Sequence, residues 1–226
     1  MNLRILCLIL IFIKILEPSY AQIDSINPVP RWQKSSLVAP GIFTVYGVSS
    51  FFFHPIRKID TEWFTSINKS PVKTNQTIDH ILQYTPAITV LGLDLFGIKG
   101  KNNWKDQTIH LAVSQIVMNA IVRPTKILSN RLRPDGSEYS SFPSGHTSMA
   151  FVNAEFLWQE YKHRNKWLAA SGYVAAATTG YLRMQHNRHW FSDIVAGAGI
   201  GILSTKLTYW AYPRLVRMVK KKRLPK

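Results

Sequence analysis

Six apolar segments, at residues 37–53, 86–98, 109–122, 149–161, 167–182 and 194–212, constrain the fold of this chain more than any other feature. Each is long for a strand, and none alternates apolar with polar residues, so helices suit them far better. They predict an all-α fold, a helical bundle of about five to six helices. The connection 54–84 is polar and predicts a short amphipathic helix. Gly197, Gly199 and Gly201 follow no strand, so they read as small residues for close helix packing and not as a phosphate-binding glycine loop.

Several of these helices carry polar side chains: Asp94, His110, Asn119, Glu155, Gln159 and Lys206. That composition suits the core of a soluble bundle, but the charges between the helices favour a membrane. Lys99, Lys101 and Lys105 follow the second segment, Lys162, Arg164 and Lys166 follow the fourth, and the tail reads RLVRMVKKKRLPK. If the second to sixth helices cross a bilayer, all three clusters fall on one side, as cytoplasmic basic loops do. The candidate site residues then fall on the other side. The bundle is therefore expected to be membrane-embedded or membrane-associated. A chain that begins outside would invert this order if residues 37–53 also crossed, so that segment is expected to lie along the interface or to pack without crossing.

The first residues, MNLRILCLILIFIKILEPSYAQ, combine Arg4, a short apolar run and small residues at Ser19 and Ala21. This is the pattern of a signal peptide cleaved after residue 21, and the run is short of the ~20 residues a spanning helix needs. Residues 22–226 then form a single domain. Cleavage would remove Cys7, the only cysteine, leaving neither a disulfide nor thiol chemistry. The net charge of +16 suits nucleic acid, anionic lipid or a phosphorylated substrate. Export disfavours nucleic acid, and anionic head groups explain the charge equally well.

Three clusters carry the chemistry. In KILSNRLRP, Lys126 stands seven residues before Arg133, which Pro134 follows. In FPSGHTS, Ser144, Gly145 and His146 open an apolar helix after Pro143. In RMQHNRHWFSD, Arg183 precedes His189 by six residues, and Asp193 follows four later. Arginine offers a planar fork to phosphate oxygens and lysine a compact charge, although singly such residues are more often solvated ends. Ser144 is an N-cap candidate, and the free amides of a helix start attract anions, although a plain capped helix is the commoner reason for such a sequence. His189 and Asp193 share a face if helical, so the carboxylate can fix one ring nitrogen and leave the other free to attack. A metal site would recruit His186 as a second histidine. Arg183 and Arg188 oppose a cation there and favour an anion, which leaves His186 a supporting or surface residue.

Together these residues resemble the three-part signature of the type 2 phosphatidic acid phosphatase and haloperoxidase superfamily. The motifs span residues 126–193, and Leu182 departs from the small residue that members often carry before the arginine. The resemblance implies that His189 forms a phosphohistidine with Asp193 orienting it. It implies that His146 protonates the leaving alcohol and then activates water. Lys126, Arg133, Ser144, Gly145 and Arg183 would bind the phosphoryl oxygens, with no metal and no cofactor. The implied activity is a phosphatase for monoesters or pyrophosphates, with a phosphorylated lipid as the favoured substrate, the membrane as partner and the active face outside the cytoplasm. A soluble periplasmic acid phosphatase is the alternative. A haloperoxidase, or a non-catalytic basic protein binding membrane or nucleic acid, ranks below both.

Overall fold

Asparagine and serine side chains start the three helices at the centre of the protein. Asn103 accepts a hydrogen bond from the Asp106 amide at 3.0 Å, and Asn165 accepts from the amides of Trp167 and Leu168 at 3.0 Å each. Ser144 accepts from the Thr147 amide at 3.4 Å. Such caps satisfy amides that the first helical turn leaves without a partner. The computed structural model describes residues 34–69 and 75–223. After a 3-10 turn, Lys34–Leu37, come α1 (Val38–Ser49), α2 (His54–Asn68), α3 (Thr77–Leu82) and α4 (Thr85–Leu95). They are followed by α5 (Trp104–Ser129), α6 (Gly145–Tyr161), α7 (Lys166–Gln185) and α8 (Phe191–Arg223). The predicted signal peptide, residues 1–21, lies outside the described residues.

The architecture is all-α, and each apolar segment falls on a helix. The helices outnumber the expected five to six because the polar connection 54–84 folds into two of them, α2 and α3. On α2, Asp60 is buried while Lys58 and Glu62 pair on the exposed side at 3.8 Å. α6 is the central element and packs against α4, α5, α7 and α8, while α1 lies along α8. Phe156, Leu157 and Tyr161 of α6 are buried with Val90, Ala169 and Tyr209, and Val152 packs with Met118, Val122 and Ile200. The glycines of α8 permit these contacts. A methyl group on Gly201 would fall 2.4 Å from the Ser148 carbonyl oxygen of α6, and one on Gly199 2.5 Å from the Pro40 carbonyl oxygen of α1. Neither helix has room to retreat in a closely packed core.

This arrangement separates two ends. At one, the Lys101 amide donates to the Glu160 carbonyl oxygen at 3.0 Å, and the Tyr212 hydroxyl donates to Asp106 at 3.1 Å. The buried Glu160 carboxylate also accepts from the Asn102 amide at 2.9 Å and from the Tyr209 hydroxyl. The loop carrying Lys99 and Lys101 is thus clamped beside the loop carrying Lys162 and Arg164. At the other end, α6 and α8 begin and α5 and α7 finish.

Among the described residues no single helix is both long and apolar enough to cross a membrane. Only 35–49 together with 54–68 meet that test, and the two are bent by 92°. Segment 37–53 is thus half of a sharply bent pair, its first part packed along α8. Large apolar side chains nevertheless stand outward: Leu95 and Phe96 are 89% and 85% exposed, Ile127 and Leu128 80% and 84%, and Trp167 87%.

Candidate active site

The starts of α6 and α8 are joined directly, the Ser144 amide donating to the Asp193 carbonyl oxygen at 3.1 Å. This contact places the second and third sequence clusters side by side. His189 lies in the turn before α8 and is 3% exposed, and Asp193 in the first turn of α8 is fully buried. Nδ1 of His189 stands 3.8 Å from Oδ2 of Asp193. That is an electrostatic contact, too long for a hydrogen bond, and Nδ1 has no other hydrogen-bond partner. Asp193 itself is tightly held. Its Oδ2 accepts from the Trp190 amide at 2.9 Å and from the Ser141 hydroxyl, and its Oδ1 accepts from Arg131 at 2.8 Å. A fixed carboxylate at this distance suits a histidine whose contact tightens as positive charge develops on the ring.

Burial pushes the His189 imidazole down to about 4, with Lys126 and Arg183 adding to the effect and Asp193 opposing it. Burial would raise Asp193, but His189, Arg131 and Ser141 outweigh it and hold the carboxyl below its usual range. His189 is therefore neutral at ordinary pH, the form in which an imidazole can act as a nucleophile. The same shift carries a stability cost in acid. Below the ordinary imidazole pKa of 6.5 the unfolded chain binds a proton that the folded protein refuses until about 4. Stability therefore falls as pH drops through that window. Between pH 7 and 4.5, wild type is expected to lose roughly 2 kcal/mol more than His189→Asn, as read from denaturant midpoints at the two pH values. Equal losses in both proteins would refute the neutral buried state.

The cations surround this pair. Lys126, in the last turn of α5, donates to the Ser140 carbonyl oxygen. It also covers Gly145, where a methyl group would stand 3.8 Å from Lys126 Cε. Arg133 pairs with Glu138 at 3.0 Å and Arg183 with the buried Asp79 at 2.8 Å. In both arginines Nε is buried and unpartnered, so each keeps a donor for a further acceptor. Ser144 is fully buried and shares a 2.9 Å hydrogen bond with the Thr147 hydroxyl. His146 stands near enough to Arg183 and His189 to be influenced by both, and burial with these neighbours lowers it to about 3. All eight residues singled out in the sequence thus gather at this one end.

His186 stands beside that group, against the carboxylate that holds Arg183. Its Nδ1 lies 3.4 Å from Asp79, and its side chain is only 7% exposed, so it is a buried neighbour of the Arg183–Asp79 pair and not a surface residue. Among the described residues no three His, Cys, Asp or Glu side chains are placed to hold a metal ion.

Other residues of the site were missed in the sequence. Arg131, inside the first cluster, bridges Asp193 and Asp60, the latter at 2.7 Å, and also bonds Ser192 at 2.8 Å. Asp60 fixes the start of α8 by accepting from the Ser192 amide at 2.8 Å and from its hydroxyl at 2.7 Å. On α3, Asp79 holds Arg183, and His80 Nδ1 meets His146 Nε2 at 3.0 Å. Asp60, Asp79 and His80 come from the polar connection 54–84, where spacing gave no signal. Arg131 lacks both the seven-residue spacing from Lys126 and the following proline that marked Arg133.

Such a site is chemically equipped for transfer of a tetrahedral oxyanion. It brings together a neutral buried imidazole, a second imidazole, and cationic donors with a helix start, the groups that nucleophilic attack, proton transfer and neutralisation of oxygen charge require.

Comparison with known proteins places this geometry. Over 134 residues, 59% of this chain, the sequence is 40% identical to a lipid A 1-phosphatase of Porphyromonas gingivalis, and the match covers 30% of that relative's length. A bacitracin transport permease protein of Bacillus licheniformis is 23% identical over 164 residues, 68% of this chain and 79% of that one. A crystal structure of a transmembrane PAP2-type phosphatidylglycerolphosphate phosphatase from Bacillus subtilis aligns with a TM-score of 0.58 at 18% identity. That alignment covers 79% of this chain and 96% of that one, and shows a shared fold. Residues 107–217, which carry every cluster of the site, match the PAP2 superfamily.

Proposed function

We propose that this protein is a membrane-associated lipid phosphatase that needs no metal and works through a phosphohistidine. The observation that carries the reading is the convergence of His189, Asp193 and His146 with Lys126, Arg133 and Arg183 at one end of the bundle. His189 attacks phosphorus through Nε2 while Asp193 stabilises the charge that develops at Nδ1. The bond to the leaving oxygen breaks as His146 delivers a proton to it. Neutral His146 then takes a proton from water, the resulting hydroxide attacks the phosphohistidine, and phosphate leaves. Lys126, Arg133, Arg183, Ser144 and the Gly145 amide bind the three equatorial oxygens, where charge is greatest in the transition state.

Two observations favour a lipid as the substrate. The relative with 40% identity is a lipid A 1-phosphatase, and outward Leu95, Phe96, Ile127, Leu128 and Trp167 would be an association hazard in water but suit a bilayer. With the Lys99–Lys105 and Lys162–Lys166 clusters toward the cytoplasm, the site faces the outside of the cell membrane. Export with residues 1–21 as the signal agrees with that orientation.

The test is phosphate release by the purified protein from a lipid A phosphate, phosphatidate, phosphatidylglycerol phosphate, a prenyl pyrophosphate and a water-soluble monoester. Release from at least one lipid, more than about tenfold faster than from the soluble ester and undiminished by excess chelator, is the expected result. Equal rates on all substrates, with release of the protein from membranes by carbonate, would favour the soluble acid phosphatase. Loss of activity in chelator with recovery on adding zinc would overturn the metal-free mechanism.

A further inference from the structure

The contact between His80 and His146 is not explained by phosphate binding or by packing. His80 stands on α3 and is exposed, whereas His146, in the first turn of α6, is partly buried. Nε2 of His146 and Nδ1 of His80 are 3.0 Å apart, and the rings meet edge to face at 4.5 Å. α3 does not approach by chance. The residue before His80, Asp79, is fully buried against Arg183 and His186, so α3 is anchored to the phosphate-binding end of α7. His80 is thereby held over His146 from the solvent side. The groups around His146 are Asp79 and His80 on α3, Arg183 on α7 and His189 before α8, with Lys126 of α5 beside the adjacent Gly145.

We infer that His80 is a positioning residue that feeds a proton to His146 when substrate binds. The inference rests on the phosphatase reading. Among these cations the free enzyme keeps His146 neutral, and an arriving phosphate dianion reverses the local charge and favours its imidazolium form. The proton has to come from water, and the exposed imidazole is hydrogen-bonded to the nitrogen that would accept it. His80 takes a proton from solvent at Nε2 and passes the proton on Nδ1 to Nε2 of His146. His146 then gives the proton on its own Nδ1 to the departing oxygen. In the second half-reaction Nδ1 recovers a proton from the attacking water. The cycle closes when the Nε2 proton returns through His80, so every proton is accounted for. The orienting hydrogen bond also fixes which nitrogen of His146 faces the substrate.

A leaving group's need for a proton separates this role from a structural one. An alkoxide leaves only if protonated, whereas 4-nitrophenolate leaves as a stable anion. His80→Ala and His80→Asn are expected to lower kcat on an alkyl phosphate, such as a short-chain phosphatidate in micelles, by roughly tenfold. On 4-nitrophenyl phosphate both variants should stay within about twofold of wild type, with KM for the alkyl ester little changed. Added imidazole should recover part of the alkyl phosphate rate in His80→Ala. Equal losses on the two esters would make His80 a structural contact, and no loss on either would remove it from the reaction; each result overturns the inference. If wild type hydrolyses neither ester nor any lipid phosphate, the phosphatase reading itself falls and the relay with it.

Discussion

Replacing His189 with alanine is expected to lower phosphate release by at least about a thousandfold while the helical fold survives, because no other imidazole at the site is placed to form the proposed covalent intermediate. His146 is engaged through Nε2 by His80, and His186 lies against Asp79, so neither ring is placed to substitute. The fold should survive because Asp193 keeps its bonds from Trp190, Ser141 and Arg131 without the imidazole. The measurement is phosphate release alongside circular dichroism and a melting curve, with a phosphate-labelled substrate used to trap an acid-labile adduct in wild type. The adduct should vanish in His189→Ala, while His146→Ala should slow both its formation and its breakdown. Turnover near the wild-type rate in a folded His189→Ala protein would end the nucleophile assignment.

The fold and the site were legible to different degrees. Helix class followed directly from the apolar segments, since segments of that length without alternation have no other regular structure to adopt. Ser144 was readable as a cap because N-capping is a local property, and the glycines of α8 because small residues at close spacing mark helix contacts. The eight motif residues were readable because phosphate chemistry demands particular side chains, which the sequence keeps in short windows. Asp60, Asp79 and His80 were not. They act across 132, 104 and 66 residues of chain, on Ser192, Arg183 and His146, and pairings so remote leave no local pattern. The two helices that carry them were compressed in the reading to one short helix, because a polar surface helix resembles a polar connection. His186 was left between a supporting and a surface place for a similar reason. The contact that decides for the first is with Asp79, which arrives from α3. Legibility therefore stopped where one motif residue needed a partner from outside the motif.

Arg131 is the partner on which the most depends, and its removal is expected to cost about 3–5 kcal/mol of stability together with most of the activity. Two buried carboxylates, Asp60 and Asp193, share its single guanidinium, which also stacks on Trp190 and Phe51 at 5.7 and 5.5 Å. Arg131→Met keeps much of the volume and removes the charge, leaving two carboxylates close together in a site that water barely reaches. Without the guanidinium that helps hold its carboxyl low, Asp193 moves toward protonation, and a protonated Asp193 no longer stabilises the charged His189 ring. Arg131→Lys separates the contributions. A lysine retains one positive charge but not the planar fork that reaches both carboxylates, so it should recover part of the stability and little of the rate. Asp60→Asn leaves the Arg131–Asp193 contact in place and should lower activity far less than Arg131→Met. Denaturant midpoints and kcat for the three variants decide the matter. An Arg131→Met protein within about 1 kcal/mol of wild type and with unchanged kcat would show that Asp193 is held without it. The expected order instead makes α2, through Asp60 and Arg131, part of what aims the nucleophile, although α2 lies outside the span matched to the superfamily.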